Sequence, residues 1–508
     1  MTKKTIVLIG FILLKFVLQY ALTSPLYDLH RDEYLHLDQG DHLAWGYISV
    51  PPVSSWIAFV IKLLGGGVFW VRFFPALFGA LTIVVVWKTI EFLKGNLFSL
   101  ILGAVAVLFS ALLRLNLLFQ PNSLDILCWT AFYYVVIRYL DSSNRKWLYW
   151  GAVIFALAFL NKYNFVFLLL GLFPAILLSA HRKLLLDKDF YLAIVLGLVL
   201  ISPNLLWQYH NGFPVFHHLE ELQRTQLDNV SRVDFLKGQL LFFLGALLVI
   251  IAALVSLFIY KPFRKYRLFF WSMLFTLGIF VFFRAKDYYA VGIYPIYMAF
   301  GSVYLSEFLS HGHKRCLRPV MIAIPILIFV PLIDIAFPFK EPQYIIKNPQ
   351  RYQPLGLLRW EDGKDHQLPQ DFADMLGWRE LAQKVDAACA KFPDDDHTFI
   401  LCDNYGQAGA INFYSKNKNV RAVSFNADYI NWFVLDNKIE HFIRVKEHEG
   451  AAGELAESRP FFEVGYLADS IANPMAREYR TSIFVFDRPK MDINQRLKAE
   501  VDAANYNR

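Results

Sequence analysis

Apolar residues fill the first two-thirds of the chain in long runs separated by short polar, mostly basic breaks. A bilayer core about 30 Å thick takes roughly 20 apolar residues per helix. The pattern predicts eleven spans, near 5–22, 68–92, 97–118, 124–140, 147–161, 164–180, 190–207, 236–260, 267–284, 289–309 and 317–337. The first follows Lys3 and Lys4 as a secretory signal would. However, Lys15 interrupts it and no clean small-x-small cleavage site follows, so it reads as an uncleaved helix. Beyond Phe337 the pattern changes. Phe372–Ala390 has helical periodicity, while Thr398–Cys402 and Ser482–Asp487 look like short buried strands. The chain divides into an apolar helical part, 1–338, and a soluble α/β part, 339–508.

Composition agrees with that division. Of 508 residues 56% are hydrophobic and only 18% charged, with a mean hydropathy of +0.37. A soluble domain is nearer a quarter charged. Disordered and collagen-like classes are excluded, and four cysteines are too few for a disulfide framework. The net charge of +7 suggests a nucleic-acid binder only until it is divided. Residues 1–338 carry 28 Lys/Arg against 17 Asp/Glu, and 339–508 carry 22 against 26. The excess positive charge therefore belongs to loops at a membrane surface, and no nucleic-acid partner is expected.

With the N-terminus inside, the cytoplasmic loops hold 17 of those 28 basic residues, and the positive-inside rule places the 339–508 tail outside. Twelve of the 17 acidic residues fall on the external face. Two external loops are long. Residues 23–66 include Val53–Leu64, apolar but too short to cross, which reads as an interfacial or re-entrant helix. Residues 208–235 are rich in His, Glu, Gln and Arg.

The candidate chemistry lies on that face. His30-Arg31-Asp32-Glu33-Tyr34 offers adjacent carboxylates that suit a general base and a metal or hydroxyl ligand, or simply interfacial charge on a solvated loop. Asp125 follows Gln120-Pro121-Asn122-Ser123 at the outer end of a span, a depth at which an ionisable residue faces a cavity or a partner. Lys162 lies between two spans, and Arg284, Lys286, Asp287, Tyr288 and Tyr289 begin another at the same level. Convergent cations beside carboxylates suit an anionic phosphate leaving group, although a single lysine there can also snorkel to head groups. His30, His36, His210, His217 and His218 provide ligand types for a divalent metal beside Asp32 or Glu33. Solvated or ring-stacked histidines are the commoner situation, so no cofactor is required. Cys389 and Cys402, both in the tail, could chemically pair there.

Several short motifs recur in a telling order: Arg31-Asp32-Glu33-Tyr34, His42-Leu43-Ala44-Trp45-Gly46-Tyr47 with Pro51-Pro52, and Gln120-Pro121 with Asp125. Asn161-Lys162-Tyr163, Ser202-Pro203-Asn204-Leu205-Leu206-Trp207-Gln208 and Lys286-Asp287-Tyr288-Tyr289 follow. In the tail come Asp374-Met375-Leu376-Gly377-Trp378 and Tyr405-Gly406-Gln407-Ala408-Gly409-Ala410. This order resembles bacterial membrane glycosyltransferases of the protein O-mannosyltransferase and aminoarabinose transferase group, a family 39-like group with the GT-C fold. The resemblance implies about eleven transmembrane helices with a C-terminal α/β extracytoplasmic domain, a polyprenyl-phosphate sugar donor, an external site in the plasma membrane and inversion at the anomeric carbon. It casts Asp32 as base with Glu33 beside it, and Lys162, Arg284 and Lys286 as phosphate contacts. Asp125, Tyr288 and Tyr289 complete the expected substrate-binding set. One departure limits the carry-over. Aminoarabinose transferases place a Glu-Lys pair before the first-loop proline, where this chain has Val50-Pro51. The roles of that pair, and aminoarabinose as the sugar, are therefore not implied.

The reading that follows is a glycosyltransferase acting on a lipid, glycan or protein acceptor. The absence of P-loop and Rossmann fingerprints agrees with a donor that carries no nucleotide. The main rival is a secondary transporter or channel for a polar or anionic substrate. It predicts matched halves and mid-membrane charges, whereas these charges gather at one face. A scaffold that anchors the tail for protein contacts is the third reading.

Overall fold

The structure, a computed structural model, describes residues 1–225, 230–392 and 395–506. Residues 226–229, part of the loop 208–235 that the sequence reading placed outside, thus lie outside the described residues. The chain forms two compact units. The first comprises Met1–Leu22, Val50–Val53 and Phe69–Phe337, and the second Thr23–Ser49, Ser54–Val68 and Pro338–Arg508. Where the sequence pattern put all of 1–338 in one domain, most of the loop 23–66 folds with the tail.

The first unit is helical. Five helices are long and apolar enough to cross a bilayer: Lys3–Ala21, Val68–Phe92, Asn122–Ser142, Lys188–His210 and Gly312–Ala336. Arg232–Leu241 and Leu244–Ile259 add a sixth if this pair, bent by 65°, is one span. Other stretches read as spans contain shorter helices, including Leu97–Leu108, Lys146–Asn161, Phe165–Leu177, Leu268–Phe282 and Tyr294–Phe308. At 1.5 Å per residue even the 16 residues of Lys146–Asn161 reach only about 24 Å. Eleven full-length spans are therefore not reached among the described residues. Local signals cause the breaks. The Ser110 side chain caps a separate short helix, Ala111–Leu115, by accepting from the Leu112 amide. Leu268–Phe282 ends in a Schellman motif. The Ala285 amide donates to the Phe280 carbonyl at 3.0 Å and the Arg284 amide to Val281 at 3.4 Å.

The second unit contains a five-stranded sheet ordered β2-β1-β3-β5-β4. Its strands are β1 Thr398–Cys402, β2 Ala422–Ser424, β3 His441–Lys446, β4 Phe462–Ser470 and β5 Ser482–Pro489. Strands β2, β1 and β3 run parallel, while β5 is antiparallel to β3 and to β4. Both strands read from the sequence are present. β2, β3 and β4 were not among them: β2 has only three residues, and β3 and β4 include several partly buried positions. The expected helix over Phe372–Ala390 is divided into Gln370–Ala373 and Trp378–Cys389. Gly377 breaks it at φ +86°, a left-handed conformation that only glycine adopts without strain. The expected apolar piece of the first loop is the helix Val53–Leu63. Cys389 and Cys402 are both buried and are not bridged to each other.

Candidate active site

The residues singled out from the sequence fall into two clusters, one in each unit. In the first unit, Lys162 ends the helix Lys146–Asn161 in an extended conformation, with its amide donating to the Ala158 carbonyl at 2.8 Å. Its ammonium donates to Asn122 Oδ1 at 2.8 Å and lies 4.4 Å from the Tyr289 ring centroid and 5.3 Å from that of Tyr288. Asp125, in the first turn of Asn122–Ser142, is buried and accepts from Trp129 Nε1 at 2.9 Å and Asn164 Nδ2 at 3.3 Å. Asn164 also donates to the Tyr289 carbonyl at 3.0 Å, which ties the Lys286–Tyr289 segment to this corner. Burial lowers the Lys162 pKa to about 8, with Asp125 opposing the shift and the Lys286 charge adding to it. The structure therefore brings Asp125, Lys162, Lys286, Tyr288 and Tyr289 together. Arg284 occupies the left-handed region at φ +51°, the position after the Leu268–Phe282 helix that glycine usually takes. A non-glycine residue there costs about 1 kcal/mol.

In the second unit, residues Arg31–Gln39 form a helix. His30 caps it. Its Nδ1 accepts from the Asp32 amide at 3.3 Å, and Glu33 Oε2 accepts from the His30 amide at 2.7 Å. This is a capping box with histidine in the place of serine or threonine. Glu33 is fully buried by it, whereas the Asp32 side chain is 38% exposed. The adjacent carboxylates thus differ in environment: one secures the helix start, and the other stays partly exposed. The Tyr405 hydroxyl donates to Asp32 Oδ1 at 2.6 Å, and the Arg31 guanidinium lies 4.7 Å over the Tyr405 ring. Burial would raise the Asp32 pKa. The neighbouring His30, the Arg31 charge and the Tyr405 hydrogen bond outweigh it, and the carboxyl stays below its ordinary value.

The remaining contacts bind this helix to the tail. Asp28 Oδ2 accepts from the Trp378 and Arg379 amides at 3.1 and 3.2 Å, capping the Trp378–Cys389 helix, and Asp28 Oδ1 pairs with Arg379 Nε at 2.9 Å. Asp374 pairs with Arg477 at 3.1 Å, has His30 Nε2 at 3.6 Å, and accepts the Arg31 amide through its carbonyl. At the far end, buried Asp38 accepts from Asn412 and Tyr429, each at 2.7 Å. Sequence reading gave none of Asn122, Asn164, Asp374 or Tyr405 a role. Asn122, Asp374 and Tyr405 lie inside quoted motifs, and Asn164 directly follows Asn161-Lys162-Tyr163.

His36 lies on the same first-loop helix, and His217 and His218 on the helix Pro214–Thr225. Among the described residues no group of three or more His, Cys, Asp or Glu could hold a metal ion.

Residues 49–207 match the family model described as dolichyl-phosphate-mannose-protein mannosyltransferase. No curated protein matches the sequence significantly. Among solved structures, ArnT from Cupriavidus metallidurans in the apo state is similar over 95% of this chain and 98% of its own, with a TM-score of 0.62 and 14% identity. The same protein bound to undecaprenyl phosphate is similar over 95% and 97%, with a TM-score of 0.59 and 14% identity. The helical unit, with its membrane-length apolar helices, and the small-sheet tail agree with these matches, and the chain is an α-helical multi-pass membrane protein with the GT-C fold.

Proposed function

We propose that this chain transfers a sugar from a polyprenyl-phosphate donor to a lipid, glycan or protein hydroxyl at the extracytoplasmic face of the plasma membrane, with inversion. The observation that carries this reading is the Asp32 carboxylate, ionised and partly open in a chain with the GT-C fold. Asp32 takes the proton of the acceptor hydroxyl. The acceptor oxygen forms its bond to the anomeric carbon as the bond from that carbon to the phosphate oxygen breaks, and polyprenyl phosphate leaves with the electron pair. Lys162 and Lys286 stabilise the charge developing on the phosphate, and Arg284 serves as a further contact. Tyr288 and Tyr289 hold the Lys162 ammonium over their faces, and Asp125 favours its protonated form. Glu33 supports the base by fixing the helix that carries it. The apolar tail of such a donor can stay in lipid while its phosphate reacts, and a structural relative has been seen with undecaprenyl phosphate bound.

The test is turnover of radiolabelled undecaprenyl-phosphate monosaccharides by the purified full chain, with envelope extract of a deletion strain as acceptor. Asp32→Asn should lower turnover by the roughly 10²–10⁴-fold of a lost general base and leave donor binding nearly unchanged. Wild-type turnover in that variant would overturn the assignment. Vectorial movement without label transfer would favour a transporter.

A further inference from the structure

The soluble tail contributes a side chain to the setting of Asp32. Tyr405 lies three residues beyond the end of β1 and is the first residue of the helix Tyr405–Tyr414. Asn404 caps that helix by accepting from the Gln407 amide at 3.0 Å, and its own Nδ2 donates to Glu447 at 2.6 Å and Glu478 at 3.2 Å. The backbone at Tyr405 is thus pinned from several directions. It also occupies a privileged place in the sheet. β1 connects to β2 on one side and has β3 on the other, and the carboxyl ends of parallel strands at such a reversal are where open α/β sheets present functional groups. The hydroxyl reaches Asp32 Oδ1 at 2.6 Å, and Arg31 lies over the ring.

From this geometry we infer that Tyr405 is a positioning residue for transfer: it holds the Asp32 carboxylate in one orientation and in its ionised form, so that the tail belongs to the catalytic apparatus. The inference rests on Asp32 being the base. A tyrosine hydroxyl donating to one carboxylate oxygen stabilises the anion and restricts rotation about the side chain. Both effects act on the proton-accepting step. Neither acts on binding of the donor. The Asp374 carbonyl accepts the Arg31 amide, and the Asp374 carboxylate pairs with Arg477 and has His30 beside it, which anchors the backbone that carries Arg31.

The test is Tyr405→Phe in the full-length protein, which keeps the ring under Arg31 and deletes the hydroxyl. With the undecaprenyl-phosphate monosaccharide assay, kcat should fall roughly tenfold or more, the factor matching one hydrogen bond to a charged group, with the donor KM unchanged. The acid limb of kcat/KM should move upward by about one pH unit, because the carboxyl loses a donor that favoured its charged form. The limb is independent of how much protein is folded, so a loss of stability cannot imitate it. In the Asp32→Asn background, Tyr405→Phe should have no further effect on rate. A Tyr405→Phe profile and kcat that superimpose on wild type, with Asp32→Asn inactive, would overturn this inference and leave the base assignment intact. Full turnover in Asp32→Asn would overturn both.

Discussion

Gly409 offers a sharp test of how the base is held. It lies in the Tyr405–Tyr414 helix where that helix crosses the first-loop helix, and both belong to the second unit. A Cβ at this position would meet the Tyr429 hydroxyl at 2.5 Å, Tyr34 Cβ at 2.6 Å and the Tyr34 carbonyl carbon at 3.1 Å. Carbon atoms pack best at about 3.5–4.0 Å, so a methyl needs roughly 1 Å of relief. Tyr34 cannot provide it by turning its ring, because the contacted atoms are its Cβ and backbone. The Arg31–Gln39 helix must move instead, and Asp32 moves with it. Overpacking of this kind costs about 1–3 kcal/mol, and contacts this short belong at the upper end. Alanine in place of glycine in a helix interior returns about 1 kcal/mol. The net loss expected for Gly409→Ala is therefore about 2 kcal/mol. The effect on rate should be larger, since a displacement of 1 Å at a reacting group can cost 10²-fold. Thermal unfolding in detergent and turnover at matched protein levels measure the two losses. Gly406→Ala, whose Cβ would meet nothing closer than 3.1 Å, is the milder control. A stabilised Gly409→Ala protein with wild-type turnover would show that this crossing does not position Asp32.

Three further outcomes are expected. Because burial lowers Lys162 to about 8, the free enzyme should lose donor capture as pH rises through that value, so the alkaline limb of kcat/KM should lie near 8; Lys162→Arg, which stays protonated, should move that limb upward. An unmoved limb in this variant would remove Lys162 from the phosphate contact. Lys286→Met should reduce turnover far more than expression, because a charge-assisted contact strengthens as the phosphate leaves; equal turnover at matched protein would leave Lys286 a surface lysine. A reporter fused after Lys340 should be active only outside the cytoplasm and one after Lys265 only inside, and identical readings would make the span count wrong by an odd number.

The linear pattern of residues was enough to separate an apolar helical part from an α/β tail, because hydrophobic runs and periodicities are local properties that burial in lipid or in a core simply selects. It also located the groups that cluster in each unit, since Asp32, Asp125, Lys162 and Lys286 stand out by charge beside apolar runs. Helix lengths depended on more than hydropathy. A serine cap at Ser110 starts a separate helix within otherwise continuous apolar sequence, whereas the left-handed Arg284 ends a helix where the apolar run itself ends. The first loop's membership in the tail was decided by tertiary structure alone. It rests on partners hundreds of residues apart, Asp28 with Trp378 and Arg379, Asp32 with Tyr405, and Asp38 with Asn412 and Tyr429. No periodicity marks such pairs. The division of labour between neighbours Asp32 and Glu33 has the same origin: both are carboxylates in sequence, and only the turn of the helix sends Glu33 back to its cap and Asp32 outward to Tyr405.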